Sequence, residues 1–281
     1  MRSRLFLFFF LFPLITFAQS SIPSLKIPER NPDAETGSAF MKRIIPLELE
    51  EREEEIFKAL ASGNMPDFLR NPIRLKANFT DSLGQSHELI YEVMPDYLAV
   101  GSNEDYCRIP MNPYTAQRLA DVFGGSLITA KISDHIYENA SVKLDPFFYK
   151  PVGRENESVE KFILHNSQIE KQKKEANGQN GQLIAGIKKD VILSNRLVEG
   201  TDRVVIYGWH KLDGNPIQPV YSGHVDWYVD YSHSIRLVNE QVMLDGKTST
   251  FSKILSDPIL FKLLSDETAP MTQTRYQIPK R

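Results

Sequence analysis

The alternation of residue types between Pro219 and Val238 constrains this chain more than any other feature. Side chains on a strand point to opposite faces in turn. His224, Asp226, Tyr228 and Asp230 would therefore line one face, with Val225, Trp227, Val229 and Tyr231 on the other. The run is far longer than the usual strand of about five or six residues. Continued unbroken, the alternation would also send His233 to the apolar side with Val229, Tyr231, Ile235 and Leu237. An ionisable ring held there without a partner is costly. A bend or bulge between Asp230 and Ser232 removes that cost and turns His233 towards His224 and Asp230. Such irregularities re-aim side chains beside active sites.

His210, His224 and His233 are three of six histidines, gathered within twenty-four residues. With Asp230 they form an acid–base kit in which the carboxylate orients an imidazole and a cation steadies developing negative charge. Arg236 and Lys188 are the expected cations. Asp190 shares a strand face with Lys188, and His210 follows Trp209 after Gly208, which permits close approach of a ligand or a second backbone. Trp209, Trp227 and Tyr231 are candidate binding rings. Asn166 interrupts the apolar stripe Val159, Phe162, Ile163 and Ile169 of a helix expected over 155–176, with His165 at its flank. A buried amide needs partners, so both are candidate binding residues.

A zinc reading uses His210, His224, Asp226 and His233 as ligands. The absence of an HExxH motif or a cysteine pair favours a metal-free site without a cofactor. Ser222 or Ser232 could complete a Ser–His–Asp set, although no G-x-S-x-G elbow marks either. Cys107, the single cysteine, precedes a helix whose amino end can lower a thiol pKa, but nothing resembling a base lies near it.

The basic start at Arg2 and Arg4, the apolar run Leu5–Phe17 and the small residue Ala18 read as a cleaved export signal, residues 1–18. The thirteen positions of that run, apolar except for Thr16, are too few to span a bilayer, so no stable membrane insertion is expected after cleavage. A secreted or periplasmic location follows. Removing two of 33 basic residues leaves 31 against 36 acids, a formal charge of −5. That balance gives no support for a nucleic-acid partner. Residues 19–37 read as a flexible lead-in, 38–150 as an α+β lobe and 151–281 as a β-rich lobe carrying the site. The expected class is α+β, with a mostly helical N-terminal half containing one hairpin and a C-terminal antiparallel sheet with a flanking helix. Asn112-Pro113 before an amphipathic stretch and Gly124-Gly125 after it predict one of those helices. Leu83-Gly84-Gln85 predicts the hairpin turn.

The segment "SHSIRL", residues 232–237, resembles the Ser-His-Gly-Cys-x-Arg signature of the L,D-transpeptidases that cross-link peptidoglycan. Those enzymes also carry an upstream histidine, as His224 is here. The likeness spans about fifteen of 281 residues, lacks the nucleophilic cysteine and loses one position, so it implies no cysteine chemistry. The stretches "NPYTAQRLADVFG", "KKDVILSNRL", "IYGWH" and "YVDYSHSIRLV" resemble a group of uncharacterised exported bacterial proteins, which implies no activity. Three functions stay open: a His/Asp hydrolase or transferase acting on an envelope or extracellular polymer, a non-catalytic glycan- or peptide-binding protein of the cell surface, and a zinc hydrolase.

Overall fold

A computed structural model describes residues 22–198 and 202–279. The expected export signal lies outside the described residues. The described part of the lead-in packs on the body at its start: Ile22 is buried, and the Lys26 amide donates to the Phe123 carbonyl at 2.8 Å.

Six helices are present among the described residues: α1 (Gly37–Ile44), α2 (Leu49–Ala61), α3 (Pro113–Phe123), α4 (Ala130–Asn139), α5 (Val159–Glu175) and α6 (Phe251–Ser256). Local chemistry sets their ends. The Asn112 side chain caps α3 by accepting from the Thr115 amide, Pro113 opens its first turn, and Gly124 closes it at φ 69°. Thr36, Thr129, Ser158 and Thr250 cap α1, α4, α5 and α6 in the same way.

The strands are β1 (Ile73–Thr80), β2 (Ser86–Val93), β3 (Ala99–Gly101), β4 (Tyr106–Arg108), β5 (Gly125–Leu127), β6 (Val142–Lys143), β7 (Ile184–Ala185), β8 (Lys189–Val191), β9 (Arg203–His210), β10 (Pro216–Val225), β11 (His233–Ser234), β12 (Leu237–Asn239), β13 (Gln241–Leu244) and β14 (Lys247–Thr250). The larger sheet has the order β14-β13-β2-β12-β5, with β1 also on β2, and all its pairs are antiparallel. The second sheet has the order β10-β9-β8-β11. There β11 runs parallel to β8, pairing His233 with Lys189 and Ser234 with Asp190.

A mostly helical first half is not what forms. Six strands precede residue 150, interleaved with α1–α4, and the architecture is mixed throughout. The larger sheet takes β1, β2 and β5 from the first half and β12–β14 from the end. Three-residue strands such as β5 and β12 are too short to display a period, so they leave no trace in a pattern reading. Nor is the later sheet wholly antiparallel, because β11 pairs with β8 in parallel.

Among the described residues a main apolar core joins the layers, and Tyr97, Val142, Leu144, Ile169, Ile184 and Ile187 form a second, smaller cluster. Phe40 and Ile44 of α1, Leu60 of α2, Phe123 of α3, Phe162 of α5 and Phe251 of α6 are fully buried in the main core with Leu89, Tyr91 and Val93 of β2. Burial of a side chain of this size is worth about 1.5–3 kcal/mol relative to exposure. No helix among the described residues is long and apolar enough to cross a membrane.

Candidate active site

The long run bends. Strand β10 ends at Val225, and the chain leaves the sheet through a turn closed by the Tyr228 amide on the Val225 carbonyl at 3.0 Å. Asp230 makes the second corner. Its Oδ1 accepts from the Ser232 amide at 2.7 Å and the Ser232 hydroxyl at 2.5 Å, a local side-chain turn that offers the backbone an alternative to strand. The chain then re-enters the sheet as β11, where the Lys189 amide donates to the Ser232 carbonyl at 2.8 Å. Lys188 fixes this return from behind, its Nζ donating to the carbonyls of Tyr231 at 2.7 Å and His233 at 3.3 Å.

The two imidazoles come together across the bend, their ring centroids 6.1 Å apart. Tyr228 is wedged against both. It stacks on His224 at 4.2 Å and meets His233 edge-on at 5.7 Å, while its hydroxyl donates to Asp230 Oδ2 at 3.2 Å. His224 is half-buried, whereas His233 is 1 % exposed and neither of its ring nitrogens has a hydrogen-bond partner. Trp227 departs from the expected apolar face: it lies half-open to solvent because the strand has already ended, while Val229 and Tyr231 do enter the core.

Electrostatics divides the roles. Burial pushes the His233 imidazole down to about 4, an effect that the Asp230 charge offsets only in part and Lys189 reinforces. Burial also lowers His224, again opposed by Asp230. Burial alone would raise the Asp230 carboxyl, but the charges of His233 and Lys189 and the Ser232 hydrogen bonds outweigh it and hold it well below the usual range. At neutral pH the centre therefore contains two neutral imidazoles beside an ionised carboxylate. Burial brings the Lys188 ammonium down to about 7.

A third imidazole lies behind this centre. His165 of α5 is fully buried, and burial, aided by the Lys188 charge, drives its pKa far down. Its ring nitrogens have no well-formed hydrogen bond, only a weak approach of the Phe147 backbone. Its edge packs on Tyr231 at 4.8 Å. The irregular segment 144–158 crosses over it, anchored where the Tyr149 amide donates to the Tyr231 hydroxyl at 2.8 Å and the Tyr231 amide to the Asn156 carbonyl at 2.9 Å. Asn166 turns the other way. Its Oδ1 accepts from the Arg108 amide and guanidinium and its amide donates to the Tyr106 carbonyl, which ties α5 to β4.

Several expected members sit elsewhere. Nε2 of His210 is 2.7 Å from Asp134 Oδ1, and its ring stacks on Tyr137 at 4.7 Å, among residues that line a separate cavity of about 440 Å3. Asp190 accepts from Ser133 at 2.7 Å and Ser234 at 3.2 Å, on the opposite side of β8 from Lys189. Arg236, buried, gives its guanidinium to the carbonyls of Met94 and Ile184 and lies over the Tyr97 ring, so it braces the core. Trp209 donates to the Ile187 carbonyl and carries the Lys189 ammonium 4.6 Å over its ring. Lys188 is spent on backbone. Cys107 is buried and its thiol is pushed up to about 12, chiefly by desolvation.

Pattern reading gave no role to Tyr228, whereas Lys189, pointing with Ile187 and Val191, was marked by its sequence as unusual unless it reaches a carboxylate, and its charge acts on Asp230. Tyr228 had a legible sign: an aromatic among acids on the same face as His224. Asp134, the partner of His210, had none, because it is far away in sequence. Among the described residues no three His, Cys, Asp or Glu groups converge to hold a metal ion. The chain matches no known family model, no curated protein and no solved structure.

Proposed function

We propose that the protein is an exported hydrolase or transferase acting on a cell-envelope or extracellular polymer by acid–base chemistry at His224, Asp230 and His233. The observation that carries this reading is the buried His233 ring, both nitrogens bare, beside an ionised carboxylate and 6.1 Å from a half-exposed second imidazole. Buried polar atoms are normally paired, and exceptions cluster where chemistry or a missing partner needs them. His224, neutral at pH 7 and reachable from solvent, takes a proton from the attacking water or hydroxyl and returns it to the leaving oxygen or nitrogen as the polymer bond breaks. Asp230 stabilises the imidazolium that forms, and His233 offers a second acceptor behind it. The Ser232 hydroxyl is committed to Asp230, so the nucleophile in this scheme comes from outside the protein.

The test is turnover of isolated peptidoglycan and of extracellular polysaccharide by the mature chain, read as new reducing ends or amino groups. His224→Ala should reduce the rate about a hundredfold or more while the melting temperature stays within a degree or two. Activity that merely follows the folded fraction would make the imidazoles structural. One feature favours a second reading, a non-catalytic surface binder: Trp227 is 49 % exposed, a ring available for stacking. Polymer retained by the protein without any product supports that reading instead.

A further inference from the structure

A cavity of about 690 Å3 lies beside the bend, with no histidine in its lining. Small-molecule sites commonly measure about 300–1,000 Å3. Trp227 and Asp226 supply one wall, Tyr114 and Arg118 of α3 another, and Glu53 and Glu54 of α2 a third. These polar groups are held rather than loose. Glu53 is 5 % exposed, and both its oxygens accept from the Asn112 amide, at 3.1 and 3.2 Å, with the Thr115 hydroxyl as a further partner. Asp226 is hydrogen-bonded to the Tyr114 hydroxyl. Arg118 is paired with Glu54 at 2.8 Å and lies flat on Phe57 at 3.6 Å. Arg154 stands 5.6 Å over the Trp227 ring and steadies it, yet half of that side chain stays open.

We infer that this cavity is a glycan-binding subsite for uncharged or amine-bearing sugar rings, with Trp227 as the stacking platform and Glu53 and Asp226 as acceptors for ring hydroxyls. A sugar ring offers an apolar C–H face and a rim of donors. An indole next to fixed carboxylates is the complement of that pair. Acidic groups outnumber the cation Arg118 among the described lining residues, so a uronic acid is disfavoured and an ammonium is tolerated or welcomed. Glu53 adds a further property: burial raises its carboxyl to about 7, so near neutrality it both donates and accepts. This inference rests on the polymer named in the proposed function but not on the acid–base chemistry.

The experiment is calorimetric titration of the mature chain with hexamers of N-acetylglucosamine, glucosamine, glucose and galacturonic acid. At least one of the first three should bind, and the galacturonate hexamer should bind at least tenfold more weakly. Trp227→Ala should weaken binding about tenfold or more with an unchanged melting temperature. Glu53→Gln, which keeps the volume and one acceptor, should weaken it less. No binding of any hexamer at millimolar concentration, equal binding by Trp227→Ala, or preference for galacturonate would each overturn the assignment. Binding without turnover would sink only the catalytic reading, and turnover without dependence on Trp227 only this one.

Discussion

Lys188 Nζ lies 2.7 Å from the Tyr231 carbonyl, a hydrogen bond that pins the backbone immediately before the imidazole of His233. A charge-capable group has been spent on main-chain carbonyls in the interior, where water cannot substitute for it. The bend that joins the two histidines depends on this clasp and on the Asp230 turn.

Lys188→Ala should therefore destabilise the fold by roughly 2–4 kcal/mol, since two buried carbonyls lose their donor and a cavity opens. The pH dependence has a definite sign. The folded pKa is lowered to about 7, so between about pH 7 and 10.5 the unfolded chain binds more protons and stability rises with pH. Urea denaturation across that window should show this rise in the wild type and a flatter slope in Lys188→Met.

His233 works in the acid range with the same sign. Its folded pKa of about 4 is below the unfolded value of about 6.5, so stability falls as pH drops from 6.5 towards 4. The loss attributable to this ring is at most about 3 kcal/mol. Denaturation midpoints for wild type and His233→Asn at pH 4, 5, 6 and 7 should diverge by that trend; parallel curves would mean that the ring is not buried neutral.

Asp230→Asn removes the negative charge that favours protonation of His224. The His224 pKa should fall further in this variant, and ring-proton chemical shifts followed against pH would measure it. An unchanged value would place His224 outside the field of that carboxylate.

The turns of two hairpins are joined by His87, whose Nδ1 is 2.6 Å from Asp245 and Nε2 3.2 Å from Asp81. The Asp245 hydrogen bond raises the histidine pKa against its desolvation, with Asp81 adding to the rise. This contribution is complete below about pH 6.5 and fades as pH climbs through the folded pKa. His87→Ala should lower the melting temperature more at pH 6 than at pH 9, and an equal loss at both would show that the ring acts by packing alone.

Gly208 has φ +99°, and a Cβ there would stand 3.2 Å from His210 Cε1. Gly208→Ala should cost about 1–3 kcal/mol and disturb the His210–Asp134 pair. Thermal melts and the His210 ring resonances would report both effects.

What could be read in advance followed chemical range. Asn112-Pro113, Gly124 and the Gly84 turn act within a few residues, and α3 and the β1–β2 hairpin form where those signals put them. The parallel pairing of β11 with β8 joins residues 44 apart and leaves no local mark. Glu53 was hidden in a different way. The run "ELEEREEE" looks like one solvated face, yet Leu49, Glu53, Ile56 and Leu60 recur at helical spacing, and Glu53 is as buried as that stripe requires. A carboxylate in step with an apolar stripe was the available sign. α1 escaped because its eight residues, beginning with glycine, carry only a short stripe.

The joining of β11 to β8 has a consequence for how the molecule is made. The strand that receives His233 is synthesised some forty residues before it, with the whole β9–β10 hairpin in between, and β12 then slots between β2 and β5. The β10-β9-β8-β11 sheet is incomplete until Ser234 is made, and the larger sheet until Thr250. A nascent chain that stops before about residue 234 therefore lacks the strand that carries His233, and the two imidazoles meet only once that strand has docked on β8.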